Sequence, residues 1–246
     1  MSTKTSIRLG VFIPGDTQLL DLACVDVLHM MSKEYLSLLT LLPSYIADIA
    51  PSVSIFYITA PAANDQMVAL SSNMTVRATH DITHTDVQPG KLDIVLVPGP
   101  DPEAKWDKPI LDFLLGHSKS ANTDVLSVCT GIYLCGSAGL LDGRTVCGPR
   151  GLQDALKKMY PTATFVGEKY RWVQDGNFWS SGGITNGNDL VAAYARSSKH
   201  FPSAVVELAC KMADVGDRPK EFAESQVGFT LGIVWNIVLG FFAKRR

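Results

Sequence analysis

Apolar residues in this chain fall into short runs separated by Gly- and Pro-marked turns and by stretches with helical spacing. Ile7 to Ile13, Val53 to Ala60, Leu92 to Val97 and Val125 to Val128 are almost wholly apolar, the pattern of strands covered on both faces. Met74 to His80 alternates, as a strand near a sheet edge does. Between these runs lie helical patterns. Leu19 to Leu28 follows the Pro14-Gly15 stop, with Asp16 or Thr17 as its cap. Lys33 to Ala50 is broken at Pro43, and Trp106 to His117 is amphipathic. Gly131 to Leu141 is rich in small residues, and Arg150 to Tyr160 opens after Gly148-Pro149. Asn188 to Asp214 is long, and Pro202 kinks or splits it. Arg144 to Cys147, Thr162 to Val166, Arg171 to Val173 and Phe178 to Ser181 read as further short strands; Pro61 to Ser72 and Gly182 to Gly187 read as loops. Strands alternating with helices predict an α/β fold built on a mostly parallel sheet. No repeat or linker divides the chain, so one domain is expected over residues 1–217.

Residues 218–246 form an apolar extension, expected to be helical. Val227 to Ala243 carries no charge and is followed by Lys244-Arg245-Arg246. Its length just reaches the lower limit for a membrane span. Asn236 and the glycines Gly228, Gly232 and Gly240 favour instead a helix buried on the domain or between subunits.

Composition narrows the class. The chain has 246 residues, 46% of them hydrophobic, and a net charge of -2, enough for one well-covered core. No basic patch marks a nucleic-acid partner. The five cysteines, Cys24, Cys129, Cys135, Cys147 and Cys210, are odd in number and irregularly spaced, so neither a metal site nor a disulfide framework is predicted. Met1 to Arg8 lacks the apolar core of a signal peptide. A reducing, cytoplasmic setting is the expectation.

The candidate chemistry sits at Cys129. The run Val125 to Val128 turns at Cys129-Thr130-Gly131 into the next helix, which puts the thiol at the carboxyl edge of the sheet, where ligands bind in open α/β folds. A helix N-terminus there would ease ionisation, and the thiolate is the nucleophile. A buried structural cysteine is the competing reading. Asp21, between Leu20 and Leu22, is a carboxylate on an apolar face, costly to bury without a partner and typical of functional sites. Asp26 competes for the same role.

Ser127-Val-Cys-Thr-Gly131, followed by Ala138-Gly-Leu-Leu141, resembles the nucleophile motif of the ThiJ/PfpI superfamily. Leu20-Asp21-Leu22-Ala23, Asp175-Gly176, Ser180-Ser-Gly-Gly183 and Gly187-Asn-Asp189 match its other motifs, so the likeness runs from about Ile7 to Asp217. The Cys-Thr-Gly form, with Asp at the N-terminal acidic position, is most similar to the isonitrile hydratase branch. The resemblance implies a flavodoxin-like sandwich with helices on both faces, a homodimer, a small-molecule substrate and no cofactor. It places the catalytic residues at Asp21, Cys129 and Thr130, and the substrate- or oxyanion-binding backbone at Gly99 and Gly131. Thr130 would orient Asp21 or a water through its hydroxyl.

Three departures bear on the activity. Cys24-Val25 stands where the branch has a Gly-Pro pair, Gly99-Pro100 stands where relatives have two glycines, and Cys147-Gly-Pro-Arg150 stands where many carry a histidine. Together with Arg171-Trp172, the last pattern is similar to fungal members. The expected reaction is addition of water to an isonitrile, giving an N-substituted formamide. A glutathione-independent glyoxalase or deglycase, and a non-catalytic binder or redox sensor, are the alternatives.

Overall fold

The apolar runs become the strands of one central sheet. In a computed structural model, which describes residues 5–61 and 64–243, β1 (Ser6–Phe12) leads through α1 (Ala23–His29), α2 (Lys33–Leu36) and α3 (Ser44–Ile49) to β2 (Ser52–Thr59). The hairpin β3 (Met67–Ala69) and β4 (Thr75–Arg77) precedes β5 (His80–Asp81), β6 (Ile94–Val97), α4 (Lys108–Ser118), β7 (Asp124–Ser127) and α5 (Gly131–Ser137). The short pair β8 (Thr145–Val146) and β9 (Thr164–Phe165) flanks α6 (Gln153–Met159). The order then closes with β10 (Trp172–Asp175), β11 (Phe178–Ser181), α7 (Asn186–Ser197), α8 (Ser203–Ala213) and α9 (Gln226–Ala243). The main sheet runs β10-β11-β7-β6-β1-β2-β5 and is parallel throughout except for the β10–β11 hairpin.

Both faces are dry at the central strands β1, β6, β7 and β11, which is why those sequences show little alternation. On one face Ile94 and Leu96 pack with α1, α7 and α8; on the other Val95 and Val97 pack with α4 and α5. This is the expected flavodoxin-like sandwich, mostly parallel with helices on both faces.

Several boundaries differ from the sequence pattern. The first helix is not capped by Asp16 or Thr17. Leu19–Leu22 forms a 3-10 turn before α1, and no side chain caps it. The Thr17 hydroxyl donates instead to the Gly99 carbonyl at 3.0 Å, a tertiary bond that no local pattern encodes. Pro61 to Ser72 holds strand β3, and Met74 to His80 divides into β4 and β5. Pro202 splits the long helix outright, since it lacks the N–H to continue one.

The extension is not a separate piece from its start. The Arg171 N–H donates to Lys220 O at 2.8 Å and the Phe222 N–H to Lys169 O at 2.9 Å, tying residues 218–222 to the domain. Arg218 bonds Thr185 and pairs with the buried Asp189. α9 is helical as expected, but it is not buried on the domain: Leu231, Trp235 and Ile237 are each more than 60% exposed. Among the described residues no helix is long and apolar enough to cross a membrane.

Candidate active site

Four neighbouring parallel strands, β11-β7-β6-β1, end at one sheet edge, and the segments just past their ends make the site. β7 delivers Cys129, β6 delivers Gly99, β1 leads to Asp21, and β11 leads to the Gly183-Ile184 loop. This is the carboxyl edge, where open α/β sheets bind ligands.

Cys129 holds a left-handed backbone conformation, φ 56°. Residues other than glycine take that region at a cost, and such strain collects at functional turns. The turn is fixed by the Val128 N–H donating to Val97 O and the Gly131 N–H to Val128 O, each at 2.9 Å. Gly131 is needed because a Cβ there would strike the Val97 carbonyl oxygen. The thiol so presented is 6% exposed and faces a cleft of about 800 Å³. Thr17, Gln18, Pro100, Arg150, Ile184 and Phe229 share that cleft.

Asp21 lies fully buried beside the thiol, while Asp26 is exposed; the structure thus selects between the two candidates. The Gly99 N–H donates to Asp21 Oδ2 at 3.0 Å. Asp21 Oδ1 has no hydrogen-bond partner among the described residues. Burial pushes the Asp21 carboxyl up to about 7, although the Gly99 N–H and the Cys129 thiol favour its charged form. Burial, and then the Asp21 charge, push the Cys129 thiol up to about 11, against the pull of the Ile184 and Thr130 N–H groups.

The expected easily ionised thiol is therefore corrected. A short helix N-terminus does not offset desolvation and an adjacent carboxylate, so at neutral pH the resting thiol keeps its proton. Asp21 is the group poised to take it.

Other expected roles change as well. The Thr130 hydroxyl donates to Pro100 O at 2.7 Å; it holds the Gly99-Pro100 turn and does not donate to Asp21. The N–H groups of Gly99 and Gly131 are both committed, to Asp21 and to Val128. Of the Thr130 and Gly131 N–H groups expected to favour the thiolate, Thr130 does, and Ile184 stands beside it in place of Gly131. Gly99 matters for closeness: a Cβ on it would lie 2.5 Å from Asp21 Oδ2 and nearer still to Thr130 Oγ1.

Sequence reading missed three features of the cleft. Gln18 Oε1 is buried there without a partner among the described residues. The Ile184 N–H comes from a loop whose sequence signals only flexibility. Arg150, 7% exposed, stacks 4.4 Å over the Phe222 ring and 4.7 Å over the Phe229 ring, and donates to Gln226 Oε1. Only its place in the Gly-Pro-Arg pattern hinted at it.

None of the five histidines lines the cleft. His117, the most buried, donates from Nε2 to Val87 O at 3.0 Å, away from the cleft, and burial lowers it to about 4. A larger cavity of about 1110 Å³ lies at the opposite sheet edge, around Arg8, Asp124 and His200; it holds no cysteine.

All five cysteines are free and buried, and Cys129 has the largest exposure among them. Limited iodoacetamide treatment with peptide mapping is expected to label Cys129 first. First labelling of Cys24 or Cys210, with Cys129 untouched, would refute its role as nucleophile.

A family model described as the DJ-1/PfpI family matches residues 48–197. The isonitrile hydratase of Pseudomonas putida is 37% identical over 107 residues, which make up 43% of this chain and 45% of that protein. The match thus spans less than half of that relative. Among solved structures, a ThiJ/PfpI family protein from Pseudomonas syringae superposes with a TM-score of 0.69 at 18% identity, covering 98% of this chain and 89% of its own. DJ-1 of Schizosaccharomyces pombe superposes with a TM-score of 0.63 at 12% identity, covering 85% and 100%. At these identities the structural likeness concerns the fold.

Proposed function

The chain belongs to the DJ-1/PfpI family, and from that premise we propose that it is a cofactor-free hydratase acting on isonitriles through Cys129 and Asp21. The observation that carries this reading is the buried carboxyl–thiol pair with no histidine beside it. The partial match to an isonitrile hydratase supports the same substrate class.

Asp21 takes the thiol proton as Cys129 Sγ attacks the terminal isocyano carbon. Asp21 then returns that proton to the same carbon, leaving a thioimidate on Sγ. Water adds to this carbon, with Asp21 taking a water proton and passing it to nitrogen. Collapse of the adduct breaks the C–S bond, transfers the hydroxyl proton to sulfur and releases the N-substituted formamide. The sum is one isonitrile plus one water, and the thiol is regenerated.

No oxygen anion develops in the first attack. That suits a site where the Gly99 N–H is held by Asp21 and Pro100 has no N–H to give. A 2-oxoaldehyde would become an alkoxide at once, and losing one oxyanion donor typically costs about 2.7–4 kcal/mol. The glyoxalase alternative is disfavoured on this ground. A redox sensor is disfavoured too, since oxidation selects exposed, ionised thiols. A homodimer belongs to the same reading.

The reacting pair holds one proton between apparent values of about 7 and about 11. Below that window both groups are protonated and no base remains, so kcat/KM is expected to rise with pH through about 7. A panel of isonitriles and methylglyoxal assayed across pH tests this. Turnover of methylglyoxal alone, or an activity that falls as pH rises through 7, would sink the proposal.

A further inference from the structure

The apolar helix α9 is left uncovered by the fold, and its chemistry specifies what covers it. Its 18 residues, Gln226–Ala243, carry no charge. Large apolar side chains stand exposed all around it, from Val238 at 38% to Val227 at 68%. A helix that is apolar all round is stable only when surrounded. A contiguous exposed apolar surface of this kind marks an interaction site.

Two polar side chains interrupt the run beyond its first residue, and each makes one hydrogen bond back into the helix. The Thr230 hydroxyl donates to Gln226 O at 3.0 Å and Asn236 Nδ2 to Gly232 O at 2.9 Å. These bonds lower the cost of leaving water. Lys244-Arg245-Arg246 come next in the sequence, a charge run complementary to anionic lipid headgroups.

We propose that α9 anchors this protein in a lipid bilayer, with Lys244-Arg245-Arg246 at the headgroups. The helix is about 27 Å long at 1.5 Å per residue, against an apolar core of about 30 Å. That length falls short of the core, so the helix enters the bilayer without crossing it. The anchor is tied to the cleft: Arg150 bonds Gln226 at the helix start, and Phe229 in its first turn lines the cleft. The cleft therefore opens at the lipid surface. This anchoring is independent of the reaction assigned above.

The test uses the full chain with vesicles of phosphatidylcholine, alone or mixed with phosphatidylserine. The chain is expected to float with both, and Trp235 to shift its emission to the blue and be quenched by brominated lipid, read against Trp235→Phe. Leu231→Asp with Ile237→Asp should abolish flotation while the domain keeps its thermal unfolding transition. K244Q/R245Q/R246Q should weaken binding on the order of 100-fold on phosphatidylserine vesicles, with little effect on phosphatidylcholine. A chain that stays off the vesicles with Trp235 unmoved overturns the proposal. So does Trp235 already shielded without lipid in a dimer cross-linked through α9, which would make a second copy the occupant.

Discussion

Asp21→Asn is expected to lower turnover by about 10²–10⁴-fold, the usual scale for a positioned acid–base group, while making the folded protein more stable at pH 8. The two effects have one cause. Asp21 is fully buried, and burial raises its carboxyl from 3.8 to about 7. In the unfolded chain that carboxyl ionises near its ordinary value. Stability from this group is thus fully present below about pH 4 and is lost as pH rises towards 7. Above 7 the loss levels off at on the order of 4 kcal/mol, from 1.36 kcal/mol per pKa unit. Asn carries no charge at any pH, and its side-chain oxygen can still accept from the Gly99 N–H. Denaturant unfolding should therefore show the two proteins alike near pH 4 and the variant ahead at pH 8. A folded Asp21→Asn protein with wild-type turnover would remove Asp21 from the mechanism. Equal stabilities at pH 8 would remove the buried charge from the energetics.

Gly99→Ala is expected to cut turnover about 100-fold, more than its effect on folding would suggest. The added methyl would lie 2.5 Å from Asp21 Oδ2 and 3.0 Å from the Thr130 backbone nitrogen. Real Cβ atoms do not sit that close, so the carboxyl or the Cys129 turn must shift. Overpacking of this kind costs about 1–3 kcal/mol in stability. A displacement near 1 Å at a reacting group costs about 10²-fold in rate. Thermal unfolding alongside kcat/KM separates the two. A variant that loses stability but keeps full activity would show that Gly99 does not hold Asp21 in place for reaction.

Much of this site could be read from the chain because its strands are buried on both faces. Val125 to Val128 and Leu92 to Val97 announce strands whose ends must lie at the sheet edge, and the residues just past them are site residues by position. Cys129 and Gly99 were legible for that reason. Thr130 was legible as a residue and misread as a group, because its hydroxyl answers to the Pro100 carbonyl thirty residues away. The ionisation of Cys129 was misread in the same manner: a thiol at a helix start is local information, but the depth of its burial and the Asp21 charge are not.

The extension shows the same division. Its sequence specified an uncharged helix with three cations next in the chain, because spacing and composition settle local structure. Whether the domain would cover it could not follow from the residues alone. Arg150 clamps only its first turns, and the rest stands clear.

By itself, the sequence determined the alternating α/β order and the turn that bears Cys129, since each depends on neighbours along the chain, and its spread of motifs marked the family. The tertiary structure alone decided that Asp21 and not Asp26 meets the thiol, that Ile184 supplies an N–H to it, and that burial raises both the Asp21 carboxyl and the Cys129 thiol. Those outcomes depend on desolvation and on distances between β11, β7, β6 and β1, which no stretch of residues carries within itself.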